Sequence, residues 1–236
     1  MSRPLIGITV DTSDEPQHYE SPMAYAAAVE AAGGLPLLLP YGIDQSLIPQ
    51  LLDPLNGILF TGGNDLDPQL YGEAYHAKAE PIDPLRQDFE LALMAEVERR
   101  RIPTLAVCLG CQLMNVYRGG SLFQFLPDIP RDPNIEHRNV NRSNPRHAVK
   151  LVADTVTAAA IGHVDVNANT AHKQSIHKAG KDLRITATAP DGVIEGIEDP
   201  DLPLFVGVQW HPERLYKEPE HLALFKLLVE KSAARE

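Results

Sequence analysis

The sequence predicts an α/β fold, with a mostly parallel central sheet, helices on both faces and a partly antiparallel C-terminal section. Short continuous apolar runs alternate with helical patterns through the first half, as strands buried on both faces of a parallel sheet do. In the second half strand-like runs follow one another with turns and no intervening helices. With 236 residues, 44% of them hydrophobic, and neither an internal repeat nor a flexible linker, residues 1–236 read as a single domain.

The elements follow in order. Residues 4–10 are a buried strand. Ser21-Pro22 offers a cap and a proline at the first helical position for an Ala-rich helix over 23–32, which Gly33-Gly34 stops. Residues 35–39 form a second strand, 45–52 a short helix and 57–60 a third strand. Asp83-Pro84 caps a long helix in which Leu85, Phe89, Leu93 and Val97 recur on one face. Residues 104–108 are a fourth strand, and a helix follows at once, running to about Tyr117 before Gly119-Gly120. Residues 127–146, rich in Pro, Asn and Arg, read as a long loop. Strands are then expected at 148–152, 183–189, 193–198 and 204–209, and a closing helix at 220–231.

Net charge is −11, from 21 basic and 32 acidic side chains. An acidic surface repels phosphate backbones and anionic lipid, so neither nucleic acid nor membrane is expected as a partner. The densest basic cluster, Arg99-Arg100-Arg101, ends a predicted helix, where cations complement the dipole. No apolar run is long enough for a membrane span, and the N-terminal run reaches Asp11 without a small-residue cleavage site. No signal peptide is expected, and a cytoplasmic protein is. The two cysteines, Cys108 and Cys111, do not make a disulfide framework.

Cys108 closes the fourth strand where a helix begins. A residue at such a turn is pushed above the carboxyl edge of the sheet, where open α/β sheets bind ligands. The helix N-terminus favours thiolate there, and Ala106 and Gly110 supply the small flanking residues the turn needs. The alternative is a buried packing cysteine, the role assigned to Cys111. A nucleophilic thiol needs a base and the base an orienter. In Val208-Gln209-Trp210-His211-Pro212-Glu213 the proline holds His211 extended, so His211 and Glu213 can project to one side. Directly after the third strand, Gly62 and Gly63 of Phe60-Thr61-Gly62-Gly63-Asn64-Asp65-Leu66-Asp67-Pro68 can aim N–H groups at a neighbouring site. The Leu109 N–H would join them as an oxyanion donor. An ordinary glycine turn, or a weak cation site using Asp65 and Asp67, is the competing reading. His137, His147, His163 and His177 fit no common zinc spacing and are expected to be exposed or locally bonded.

Together the three stretches resemble the signatures of class I glutamine amidotransferase-like proteins, most closely the γ-glutamyl hydrolase branch, peptidase family C26, which includes γ-glutamyl-γ-aminobutyrate (GABA) hydrolases. Ala31-Ala32-Gly33-Gly34, Asp88-Phe89-Glu90 and Gly192-Val193-Ile194-Glu195-Gly196-Ile197-Glu198 support that branch, and the likeness runs from about Leu5 to the last helix. The resemblance implies a flavodoxin-like class I glutamine amidotransferase fold, a triad of Cys108, His211 and Glu213, and an oxyanion site at Gly62, Gly63 and Leu109. Gln112 matches the family's glutamine near the nucleophile. Asn169-Thr170-Ala171-His172-Lys173-Gln174 is similar to the relatives' Asn-Ser-x-His-His-Gln, which borders the substrate cleft, so His172, Lys173 and Gln174 are expected to bind substrate. The chain departs from its relatives in three places. Ala106 stands where glycine is usual, Leu109 where γ-glutamyl-GABA hydrolases carry arginine and many glutaminase domains do not, and Lys173 where a second histidine is usual.

The expectation is a cysteine-dependent hydrolase of γ-glutamyl amide bonds, acting on a small γ-glutamyl substrate without metal or organic cofactor. A homodimer is compatible with it. Lys173 is read either as a partner for an acidic leaving amine or as a solvated surface lysine. Two rival readings remain: a glutaminase subunit donating ammonia to a synthase, and a non-catalytic binding protein on the same fold.

Overall fold

The computed structural model describes residues 2–13, 18–138 and 144–235, so residues 139–143 of the expected long loop lie outside the described residues. In chain order the elements are β1 (Leu5–Thr9), β2 (Asp11–Thr12), β3 (Tyr19–Glu20), α1 (Met23–Ala31), β4 (Leu35–Leu39), α2 (Ile48–Leu52), β5 (Gly57–Phe60), α3 (Pro84–Arg99), β6 (Thr104–Val107), α4 (Leu109–Tyr117) and β7 (Ser121–Phe123). They continue with β8 (Arg146–Leu151), α5 (Val156–Ile161), β9 (Asp165–Asn169), β10 (Ser175–Lys178), β11 (Arg184–Thr188), β12 (Ile194–Glu198), β13 (Phe205–Val208) and α6 (Pro219–Ala233).

One sheet gathers all the strands except the β2–β3 pair, in the order β4-β1-β5-β6-β13-β12-β11-β8-β9, with β10 on β12 and β7 on β10. The first five strands are parallel. The remainder pairs antiparallel. Burial follows that division. Every residue of β5, β6 and β13 is buried, as in strands covered on both faces, whereas β8 alternates exposed and buried.

The pleat sends alternate side chains to two cores. Phe60, Ala106 and Phe205 meet Phe89, Leu93 and Val97 of α3 and Leu113 of α4 on one face. Leu59, Leu105, Val107 and Val206 meet Val29 of α1 and Leu224, Phe225 and Leu228 of α6 on the other. Helices therefore cover both faces, as the alternation predicts.

Several local expectations are corrected. Pro22, not Ser21, stands at the N-cap of α1 and makes no side-chain cap bond there. Leu85 is exposed, because the buried face of α3 runs instead through Arg86, Phe89, Glu90, Leu93 and Val97. The helix expected over 45–52 opens as a 3-10 turn, Gln45–Leu47, capped by Asp44. β7, β9, β10 and α5 were not foreseen: β9 reads Asp-Val-Asn-Ala-Asn, whose asparagines argue locally against a strand.

Candidate active site

β5, β6 and β13 are adjacent and parallel, so the segments leaving their carboxyl ends converge on one edge of the sheet. They are Thr61–Gly63, Cys108 and Gln209–Glu213. Cys108 caps α4 with φ 53° and ψ −104°, a conformation costing about 1–3 kcal/mol for a residue with a Cβ. The turn is held by Cys108 N–H donating to Val208 O at 2.8 Å and Gly110 N–H donating to Thr61 O at 3.1 Å. A Cβ on Gly110 would lie 2.7 Å from the Phe60 Cβ and 2.8 Å from its carbonyl oxygen, so only glycine fits.

His211 Nδ1 lies 2.8 Å from Glu213 Oε1, and both residues are buried. Asn169 clamps the histidine from behind: its Oδ1 accepts from His211 N–H and its Nδ2 donates to His211 O, both at 2.9 Å. Burial works to push the Cys108 thiol up, but the charge and hydrogen bond of His211, with His172 and Arg214 beyond, bring it below the ordinary thiol value. Burial equally disfavours charge on His211, but Glu213 and then Cys108 raise it to about 9. The facing imidazole thus favours the thiolate from a second side, beside the helix start at which Cys108 stands. Cys111 differs. Burial drives its thiol well above the usual range, with Cys108 and Glu195 adding to the effect. It packs against the sheet where Gly207 leaves room, a Cβ there falling 2.8 Å from its sulfur.

The expected oxyanion donors divide. Gly62 N–H already donates to the Tyr25 hydroxyl at 2.9 Å, so it is corrected from donor to spacer; a Cβ there would lie 3.0 Å from His211 Cε1. The Gly63 and Leu109 N–H groups have no protein acceptor among the described residues. Beneath them Arg86, which sequence reasoning missed, is wholly buried. Its Nη2 donates to Gly62 O at 2.9 Å and to Thr61 Oγ1 at 3.2 Å, and it pairs with Asp11 at 2.7 Å and Glu90 at 2.8 Å. The i, i+4 spacing of Arg86 and Glu90 on α3 was its only sequence signal.

Gln112 reaches the thiol indirectly. Its Nε2 donates to Gln174 O at 3.1 Å and to Gln209 Oε1 at 3.0 Å, and Gln209 Nε2 lies 3.6 Å from Cys108 Sγ. Gln209 was visible in the sequence only as a neighbour of His211. Asp65 and Asp67 form no joint cation site: Asp65 Oδ2 accepts from Glu80 N–H, and Asp67 Oδ1 caps Gln69 N–H.

Two pockets meet at Cys108. One, of about 340 Å³, is lined by Gly63, Gln112, His172, Lys173 and Gln174, together with Asp65, Glu80 and Arg138. The other, of about 230 Å³, contains His211, Tyr25, Asp11, Glu20 and Arg214. Lys173 is half-buried and not free, because it pairs with Glu80 at 2.6 Å and Asp65 at 3.1 Å. The free surface-lysine alternative is thereby corrected, and Lys173 lines the pocket that His211 does not.

For His137 and His147 the exposed alternative is corrected. They are buried, and with His172 they surround the wholly buried Glu195 carboxylate. His163 and His177 are exposed, the first paired with Glu220 and the second resting against the Phe123 ring.

The fold is that of class I glutamine amidotransferases. The glutaminase domain of Trypanosoma brucei CTPS, solved with bound acivicin, aligns with a TM-score of 0.67 over 99% of this chain and 95% of that chain, at 15% identity. Within that class, the chain belongs to the peptidase C26 family, whose model matches residues 4–213. The gamma-glutamyl-gamma-aminobutyrate hydrolase PuuD of Escherichia coli K12 is 32% identical over 224 residues, covering 90% of this chain and 87% of its own. Protein NtpR of Enterococcus hirae is 36% identical over 222 residues, covering 89% and 91%. No helix among the described residues is long and apolar enough to cross a membrane.

Proposed function

We propose that this chain hydrolyses γ-glutamyl amide bonds through a thioester on Cys108. The observation that carries the reading is the lowered Cys108 thiol facing a His211 that Glu213 holds at 2.8 Å, with two donors, Gly63 and Leu109, lacking a protein acceptor beside it. The Cys108 thiolate attacks the γ-carbonyl carbon, and the displaced electron pair resides on the oxygen, held by the Gly63 and Leu109 N–H groups. Collapse breaks the C–N bond, and the departing amine takes its proton from His211. Water then gives a proton to His211 and attacks the thioester, releasing glutamate and restoring the thiol.

The two pockets divide the substrate. His211 must reach the amine, so the pocket it lines takes the leaving group. The pocket of Lys173, Asp65, Glu80 and Arg138 carries both charges that an α-amino acid head group needs. Lys173 therefore serves the γ-glutamyl side, and no preference for acidic amines follows from it.

A second reading, a glutaminase subunit feeding ammonia to a synthase, is favoured by Leu109 after the nucleophile and by the likeness to a glutaminase domain. Release of free glutamate from γ-glutamyl-GABA, γ-glutamyl-butylamine, folylpolyglutamate and glutamine by the isolated chain decides between them. The isolated chain is expected to cleave γ-glutamyl amines, and Cys108→Ser to abolish it. Cleavage of glutamine alone, and only with a synthase present, would establish the second reading, and no glutamate from any donor, with or without a synthase, would refute both.

A further inference from the structure

Behind the wall of the larger pocket, four side chains from four separate places in the chain point at one spot. His137 belongs to the long loop, His147 to β8, His172 to the segment after β9, and Glu195 to β12. Glu195 Oε1 lies 3.3 Å from His137 Nδ1, 3.4 Å from His172 Nε2 and 3.5 Å from His147 Nε2. His137 Nδ1 and His172 Nε2 are 3.3 Å apart.

Each histidine has its other ring nitrogen against an acceptor. His137 Nε2 meets Asp191 Oδ2 at 3.0 Å, His147 Nδ1 meets Ala148 O at 3.1 Å, and His172 Nδ1 meets Gln174 O at 2.8 Å. A neutral imidazole has a single N–H, and these acceptors draw it outward on all three rings. The inward nitrogens then present lone pairs to one another and to a carboxylate. Neither Glu195 oxygen nor His147 Nε2 has a hydrogen-bond partner, although Glu195 is 0% exposed. Bringing four acceptors together in a dry interior is strongly unfavourable unless a metal cation or added protons lie between them.

We propose that His137, His147, His172 and Glu195 are the four ligands of a structural zinc site. A tetrahedral zinc ion with bonds of about 2.0–2.1 Å separates its ligand atoms by about 3.3–3.4 Å; the three separations from Glu195 and the one between His137 and His172 run from 3.3 to 3.5 Å, and all four ligand atoms lie within 4.8 Å of one another. Three imidazoles exclude the oxygen-seeking magnesium and calcium ions, and outer acceptors on every histidine are the usual second layer of a metal centre. Four protein ligands leave no position for water or substrate, so the ion binds parts of the structure together without taking part in the reaction. It ties the His137 loop, β8 and β12 to the Asn169–Gln174 segment, which clamps His211 and lines the larger pocket. No zinc spacing shows in the sequence because each ligand comes from a different element.

The test uses the full chain, stripped with a chelator and then titrated with Zn²⁺ against a chromophoric competitor, with Co²⁺ spectra in parallel. One zinc per chain is expected, with the intense visible bands of tetrahedral cobalt and a Tm that falls on stripping and recovers on reloading. Cys108→Ser is expected to keep full stoichiometry, since the thiol is no ligand. Asp191→Asn, which leaves the four ligands in place, is expected to weaken binding about 10–100-fold. Glu195→Gln, nearly isosteric, is expected to weaken it further. A folded wild-type chain that binds no zinc would overturn the proposal, showing that protons alone neutralise the cluster. So would binding lost in Cys108→Ser, or binding unchanged in Glu195→Gln.

Discussion

Burial opposes charge on both members of the Cys108–His211 pair, yet each shifts toward its charged form because each faces the opposite charge. Cys111, one turn away, has no such partner. Iodoacetamide labelling followed by peptide mapping is therefore expected to modify Cys108 well before Cys111, and at pH values below the ordinary thiol range; faster labelling of Cys111 would contradict the assignment. The alkaline side follows from His211. Its raised value keeps the imidazolium available to protonate a leaving amine below about pH 9, and kcat/KM is expected to fall as pH rises through that value. Glu213 is the largest influence raising His211, so Glu213→Gln is expected to move this limb to lower pH. An unmoved limb would separate Glu213 from the proton chemistry.

The loop after β5 depends on α3. The Arg86 guanidinium, inserted from the first turns of that helix, ties Thr61 and Gly62 to Asp11 beyond β1 and to Glu90 one turn along. A Cβ on Gly63 would fall 2.6 Å from Arg86 Nη1, which shows how closely the backbone rests on it. Arg86→Met leaves Glu90 buried without its cation. It is expected to lower stability by about 3–5 kcal/mol in denaturant titration. Activity in the fraction that remains folded is expected to fall too, because the Gly63 donor loses its support. Stability within about 1 kcal/mol of the original would show that the network contributes little.

Across the whole molecule the acidic balance of −11 is not offset by a basic face at the arginine run. Arg99 and Arg100 pair with Glu96, Arg100 also with Asp53, and Arg101 donates to Asp201 O. The chain is accordingly expected not to be retained on a DNA column at low salt. Retention that weakens steeply with added salt would reveal a basic surface elsewhere.

The motifs on either side of Cys108 and His211 were legible in the sequence because their local chemistry is distinctive: a cysteine between a buried strand and a helix, glycines after a strand, and His-Pro-Glu after another. Strand–helix alternation likewise announced the parallel half, since burial on both faces leaves continuous apolar runs. Only the tertiary structure could bring in Tyr25, Arg86, Asn169 and Gln209, whose side chains act across the sheet edge on backbone or sulfur far away in sequence. It also decided that Gly62 N–H is occupied, that Lys173 is ion-paired, and that His137 and His147 are buried around Glu195. Each of these depends on which segments a long-range pairing makes neighbours. A side chain's own type and spacing set what it can donate or accept, whereas the partner it meets is set by the packing of the whole chain.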